Sequence, residues 1–258
     1  MPLLLRIAPL ALALVICAPS FAGEDKESSI RRPGLFFAWL AADAGTVSVR
    51  FDNPAQLREL ARHCKAGNAV FSLENGSRHQ CVLETPQLPA GEASWESASV
   101  SVTGAAAPGD ANQFSLFSTR PPVTTRWSAR ALHPQERAAL EAVLQSDPRR
   151  WGSGTSPLKL RNASVVGRPG GSSAAVIVPG RVVEDRRAFY RAQRHHVFLQ
   201  QGSGYTYLGE IPGKPIKFVD VDGKDLPGLV ASEGCDGWCI SLWSLADGLR
   251  PVGTFGGH

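Results

Sequence analysis

His195-His196-Val197-Phe198-Leu199-Gln200-Gln201-Gly202-Ser203-Gly204-Tyr205-Thr206-Tyr207-Leu208-Gly209 is the stretch that decides how the second half of this chain folds. His195–Gln201 reads as one strand and Tyr205–Gly209 as the next, with Gly202-Ser203-Gly204 turning the chain between them. The same texture continues on both sides. From about Leu158 onward, short β-type runs alternate with Gly, Pro and Asp turns: Val165-Val166, Ala174–Val178, Lys217–Val221, Gly228–Ala231 and Cys239–Trp243. That spacing implies a meander, a sandwich or a small propeller.

Upstream of these strands the pattern changes. Residues 118–133 form a connector containing Pro121-Pro122, and Pro134-Gln135-Glu136 opens the clearest helix of the chain. Ala139, Leu140, Val143 and Leu144 make its apolar face, charged residues take the other side, and Asp147-Pro148 ends it. Nearer the start, Leu35–Leu40 and Thr46–Phe51 read as strands. A second helix opens with Asn53 as N-cap and Pro54 at its first position. It carries Leu57, Leu60, Ala61 and Cys64 on one face and stops at Gly67. Ala69–Glu84 is a hairpin around Asn75-Gly76, and Val100–Val102 and Phe114–Phe117 are further strands. The expected fold is α+β and mainly β. An N-terminal α+β region spans 23–125, a linker and helix 126–156, and a propeller-like or meander β-rich domain 157–258.

Residues 1–22 read as a cleavable export signal. Arg6 gives a positive start, Leu10–Ala18 is an apolar run, and Ser20-Phe21-Ala22 places small residues at a cut before Gly23. The run is shorter than the ~20 residues that span a bilayer, and no other segment is apolar for long enough. The expectation is a periplasmic protein with no membrane span in its mature chain and a polar, flexible leader over Gly23–Arg32. Lys and Arg number 27 against 23 Asp and Glu, a net charge of +4. The basic residues are scattered, so no nucleic-acid partner is expected.

Of five cysteines, Cys17 leaves with the signal, which leaves Cys64, Cys81, Cys235 and Cys239. An even number in an oxidising compartment favours disulfides over a metal site, whose usual ligand spacing is missing. The simplest pairing is Cys64–Cys81, stapling helix to hairpin, and Cys235–Cys239, closed over an Asp236-Gly237 turn.

Catalytic signatures are missing. There is no Gly-x-Ser-x-Gly elbow and no His-Glu-x-x-His, and Gly167-Arg168-Pro169-Gly170-Gly171 lacks the Lys-Ser/Thr of a phosphate loop and is a turn. His195 and His196 are adjacent on a strand and point to opposite faces. A binding protein is therefore expected, not an enzyme.

Two stretches carry resemblances. Phe218-Val219-Asp220-Val221-Asp222-Gly223-Lys224-Asp225-Leu226-Pro227-Gly228 looks like the calcium loop of FG-GAP/VCBS propeller repeats. That resemblance implies Asp220, Asp222 and, displaced by one place, Asp225 as calcium ligands. Lys224 and Gly228 stand where further side-chain oxygens belong. Calcium needs six to eight oxygens, so the loop reads either as a weak calcium site or as an acidic turn entering a strand, and the missing carboxylates favour the turn. Lys224 can also place its ammonium where an ion would sit.

Ser203-Gly204-Tyr205-Thr206-Tyr207 fits Ser-Gly-x-x-Tyr. It resembles the motif of the periplasmic lysozyme inhibitors, the I-type inhibitors among them, and of exported immunity proteins that neutralise lysozyme-like toxins. The likeness covers about residues 160–258. It implies a loop that enters the enzyme's cleft and bonds its catalytic carboxylates. Ser203 would donate to a carboxylate, Gly204 would allow close approach, and Tyr207 would buttress the loop or add a phenol hydrogen bond, with Tyr205 beside it. A lysozyme-like peptidoglycan hydrolase is the partner this implies. The other reading is a calcium- or ligand-binding envelope module without inhibitory activity.

Overall fold

A computed structural model describes residues 29–30, 34–40, 47–48, 54–84, 99–103, 114–146, 158, 160–185, 190–233 and 239–255. The proposed signal, Asn53 and Cys235 lie outside them. Strands β1 (Ser29–Ile30), β2 (Leu35–Leu40) and β3 (Val47–Ser48) precede helix α1 (Pro54–Lys65). Next come β4 (Ala69–Ser72), β5 (Arg78–Glu84), β6 (Ser99–Thr103), β7 (Phe114–Ser118), β8 (Ser128–Ala131) and helix α2 (Pro134–Ser146). The remainder is β: β9 (Ser164–Gly167), β10 (Ser173–Asp185), β11 (Tyr190–Gln201), β12 (Gly204–Pro212), β13 (Lys214–Val219), β14 (Gly228–Glu233), β15 (Cys239–Ser244) and β16 (Arg250–Phe255). The expected class, mainly β with a few helices, is the one observed.

Three antiparallel sheets result, in the orders β3-β2-β7-β4-β5-β6, β12-β11-β10-β9-β8 and β1-β16-β15-β14-β13. Strands β8–β12 and β13–β16 are meanders, each strand pairing with its neighbour in sequence, and β1 is added to β16 at the edge of the last sheet. Short turns make this possible. Arg168-Pro169-Gly170-Gly171 is a β-turn closed by Gly171 N–H on the Arg168 carbonyl at 2.9 Å, with Gly170 at φ 75°. Proline presets the second position of such a turn, and glycine takes the positive φ of the third.

Helix α1 packs Leu60 and Cys64 inward, and Cys64 is joined to Cys81 of β5 by the expected disulfide. Cys239 is also disulfide-bonded. The helix ends as its sequence requires, with Gly67 at φ 71° donating its N–H to the Cys64 carbonyl at 2.9 Å. The Asn75-Gly76 turn links β4 to β5, with Gly76 at φ 73°.

Two observations join the N-terminal and C-terminal halves. A buried cluster unites Leu35, Leu73 and Leu116 with Val219, Val221, Val230, Ile240, Leu242 and Val252. In addition, β1 pairs with β16, Ser29 opposite Thr254 and Ile30 opposite Gly253. Residues 29–30 were expected in a flexible leader and are instead an edge strand. An open sheet edge offers backbone donors and acceptors that even a two-residue segment can satisfy, and a polar stretch gives no periodic signal of it.

The β8–β12 sheet is covered on both faces. Ala175, Ile177, Val197 and Ile211 pack on Leu229 and Ala231 of the last sheet and on Leu245, which follows β15. On the opposite face Val165, Val176, Val178 and Phe198 pack beneath Leu140 of α2, with Leu132 and Leu160. Strand β8, which the proline-rich connector concealed, completes this sheet by pairing with β9.

Candidate partner-binding face

Residues Gly202 and Ser203 form a two-residue turn, since Gln201 is paired with Gly204. Gly202 takes φ 59°, and residues 201–204 are all exposed. Among the described residues, the Ser203 hydroxyl has no hydrogen-bond partner. A Cβ built on Gly204 would meet nothing closer than the Gln201 carbonyl oxygen at 3.5 Å, an ordinary contact. The fold itself therefore does not demand glycine at 204. Further along β12, Gly209 lies against Leu249, where a Cβ would approach Leu249 Cδ2 to 3.0 Å. At about 3.4 Å per residue, the turn lies roughly 17 Å along the strand from that contact.

The two tyrosines of the motif are turned inward. Tyr205 and Tyr207 are half-buried and pack against the cluster under α2. The Tyr207 ring lies 5.2 Å from Phe198 and 6.0 Å from His196, centroid to centroid. Its hydroxyl is 3.3 Å from His196 Nδ1, and Glu210 Oε1 is 3.3 Å from the same nitrogen. Strand parity would normally put Tyr207 and Glu210 on opposite faces. The register shifts at Val197/Phe198, so that Phe198 opposes Tyr207 and Val197 opposes Gly209. The extra residue, Leu208, is a β-bulge, and Gly209 at φ 147° accommodates it. The bulge brings Tyr207 and Glu210 onto the same histidine.

The adjacent histidines do face opposite ways. His196 lies against Tyr207 on the α2-facing side, while His195 is 5% exposed and its Nδ1 is buried without a hydrogen-bond partner among the described residues. Burial lowers the pKa of both, opposed at His195 by backbone hydrogen bonds with Gly213 and Gln193 and at His196 by the Glu210 charge. They do not converge on a shared point.

Behind the turn sits a cluster that sequence reasoning missed. Glu136, in the first turn of α2, accepts two hydrogen bonds from Arg130 of β8 at 2.6 and 2.7 Å. It also accepts from the His133 N–H at 2.8 Å and from Gln200 Nε2 of β11 at 3.0 Å. Gln200 Nε2 donates as well to the Tyr205 hydroxyl at 3.3 Å. The Arg130 hydrogen bonds hold the Glu136 carboxyl at about 2, far below its ordinary value, against the opposing effect of burial. Burial pushes the Tyr205 phenol up. The available signal was Glu136 two residues after Pro134, the position from which a side chain reaches back to cap a helix. Its long-range partners leave no local trace.

The acidic loop is built differently from a calcium cradle. Asp220 is 3% exposed. Its Oδ2 accepts from the N–H groups of Val123 (2.6 Å) and Thr124 (3.3 Å), and its Oδ1 from Gly223 (2.6 Å). Asp222 accepts from the Ser244 hydroxyl at 2.6 Å, and Asp225 pairs with Arg168 at 2.9 Å. Lys224 Nζ meets Asp247 at 3.1 Å. The three aspartates thus serve three separate sets of protein donors. Among the described residues, no group of three or more His, Cys, Asp or Glu side chains is placed to hold a metal ion.

Topology gathers these features. The turns after β9, β11, β13 and β15 lie at one end of the two meanders, and the Arg168–Asp225 pair joins the first to the third. The Ser203 turn, the Arg168 turn and the acidic loop therefore share one end of the molecule. No protein-family model matches the chain, and no curated protein or solved structure matches it. No described helix is long and apolar enough to cross a membrane.

Proposed function

We propose that this chain is an exported periplasmic protein that inhibits a lysozyme-like peptidoglycan hydrolase by inserting the Ser203–Tyr207 hairpin into its active-site cleft. The observation that carries the proposal is the turn: Ser203 is exposed, its hydroxyl has no partner among the described residues, and it heads a strand backed by packed aromatic side chains. A lysozyme cleft holds two carboxylates. A hydroxyl and the adjacent backbone N–H groups on a projecting turn are donors of the kind such a cleft accepts.

The tyrosines play a supporting part. Tyr207 is held by Phe198 and His196, and Tyr205 by Gln200, so both buttress the turn from behind. The cleft then meets Ser203, Gly204 and exposed Thr206. Buttressing matters because a turn already ordered before binding loses less entropy on insertion.

The test is inhibition of cell-wall lysis by purified lysozymes of several structural classes, including the product of any neighbouring gene that encodes one. Wild type should slow lysis by at least one of them. Ser203→Ala/Tyr207→Ala should weaken that inhibition about tenfold or more, within the range of interface hot spots. Wild type without effect on the whole panel would end the proposal.

A further inference from the structure

We infer that Glu136 is a positioning residue: its carboxylate, held by Arg130 and bonded to Gln200, ties the first turn of α2 to the β11–β12 hairpin and keeps the Ser203 turn ordered. The inference rests on the proposed use of that hairpin for its functional consequence, but not for its structural content. Four hydrogen bonds from three places converge on this one carboxylate: two from Arg130 of β8, one from the His133 N–H before α2, and one from Gln200 of β11. Gln200 is directly opposite Tyr205 in the ladder and also donates to the Tyr205 hydroxyl. A chain of donors and acceptors therefore runs Arg130–Glu136–Gln200–Tyr205, ending two residues from Ser203.

The turn needs such a tie. Among the described residues, strand β12 is the edge of its sheet and pairs in the ladder with β11 alone. Residues 201–204 are exposed and have no buried apolar anchor of their own. The fixed points nearest the tip are Gln200 and Tyr205, and the Glu136 cluster holds both. Charge strengthens the tie, because hydrogen bonds to an ionised acceptor are about twice as strong as neutral ones. The Glu136 carboxyl, held at about 2, remains ionised at any ordinary working pH.

An ordinary helix cap would involve only the His133 bond. Two variants of the full chain separate the roles. Glu136→Gln removes the carboxylate charge and leaves the Arg130 guanidinium without its ion-pair partner. Gln200→Leu cuts only the link from Glu136 to Tyr205 and leaves the Arg130 fork and the cap in place. The measurement is amide hydrogen exchange followed by peptide mass. Both variants should raise exchange over 199–207 about tenfold. Exchange in β13–β16 should stay within about twofold of wild type, and in Gln200→Leu exchange in α2 should also be unchanged. Exchange that rises only in α2, or equally everywhere, would overturn the inference, since Glu136 would then be a helix cap or a general stabiliser.

The same variants are then assayed against the lysozyme that wild type inhibits. The inhibition constant should rise about fivefold, mostly through faster dissociation. Faster hairpin exchange with an unchanged inhibition constant would leave the tie standing and remove the hairpin from the contact. If wild type inhibits no lysozyme, exchange alone still decides whether Glu136 orders the turn.

Discussion

Replacing Asp220 by alanine is the perturbation that tests how the acidic loop works. Its carboxylate is almost fully buried and accepts three backbone N–H groups, two at 2.6 Å and one at 3.3 Å. Hydrogen bonds to a charged group contribute about 1.5–3 kcal/mol each. The two short bonds then sum to about 3–6 kcal/mol, and the long one adds little. Val123 is 63% exposed, so water can replace the lost acceptor on that side. The expected net cost is therefore near the bottom of the range, about 3 kcal/mol. Asp220→Asn keeps one acceptor oxygen but turns an amide N–H₂ toward N–H donors, and should cost about half as much. Urea unfolding followed by tryptophan fluorescence reads this directly. With a slope of about 2.5 kcal/mol per M, the alanine variant should unfold roughly 1.2 M earlier than wild type. A shift under about 0.3 M would refute the anchoring role. The same titration, run in excess calcium and in chelator, tests the resemblance to a calcium loop. A ligand at about 100 times its dissociation constant stabilises by about 2.7 kcal/mol, a midpoint shift near 1 M. With each aspartate already holding protein donors, the wild-type midpoint should move by less than about 0.2 M. A calcium shift near 1 M that disappears in Asp220→Ala would mean that the loop is an ion site first and an anchor second.

Other outcomes follow from single contacts. The Glu136 carboxyl titrates at about 2 in the folded protein against an ordinary 4.5, so its contribution is complete above pH ~4.5 and is lost as pH falls from there to ~2. Arg130 is 42% exposed, which screens the pair and limits that contribution to about 1 kcal/mol. Acid unfolding of Glu136→Gln should be correspondingly flatter across the same interval, and an identical acid limb in both proteins would contradict it. Removing the Cys64–Cys81 disulfide, which closes a separation of 17 residues, should cost about 3 kcal/mol in the chain-entropy model, read as an earlier urea midpoint in Cys64→Ser/Cys81→Ser. Gly213→Ala should yield little folded protein by circular dichroism. Position 213 has φ 79°, and a Cβ there would lie 1.9 Å from the Ser232 carbonyl oxygen, so a well-folded variant would show that the β12–β13 corner is built otherwise.

What the sequence disclosed divides along a physical line. Local signals were legible: Pro54 and Gly67 bounding α1, Asn75-Gly76 turning β4 into β5, and the Pro-Gly turn after Arg168 each encode their conformation within a few residues. Alternating strands with frequent turns announced the meanders, and the cysteine spacing announced the staple. Long-range pairing was not legible. Nothing in Ser29-Ile30 points to Thr254, and nothing near Ser128 marks it as the strand that closes the sheet beside β9. The site shows the same division. Ser203 and Gly204 could be placed on a turn from their neighbours alone, whereas the partners of Glu136 and Asp220 lie 64 and up to 97 residues away in sequence.

The bulge at Leu208 changes what the Ser-Gly-x-x-Tyr pattern can mean in this chain. In an unbroken strand Tyr205, Tyr207 and Gly209 would share a face, and Glu210 would point away from them. The register shift instead puts Glu210 beside His196, so that Tyr207 and Glu210 both reach the same imidazole nitrogen, Nδ1. A phenol held in this way, with its ring against Phe198, is committed to the interior. Tyr207 therefore cannot swing into a partner's cleft without leaving the packed face under α2. Ser203 has no such commitment. If the hairpin does enter a cleft, loss of the Ser203 hydroxyl should act directly on dissociation. Loss of the Tyr207 ring should act through the order of the hairpin, and the two changes should combine less than additively, since a loosened turn no longer presents the serine it carries.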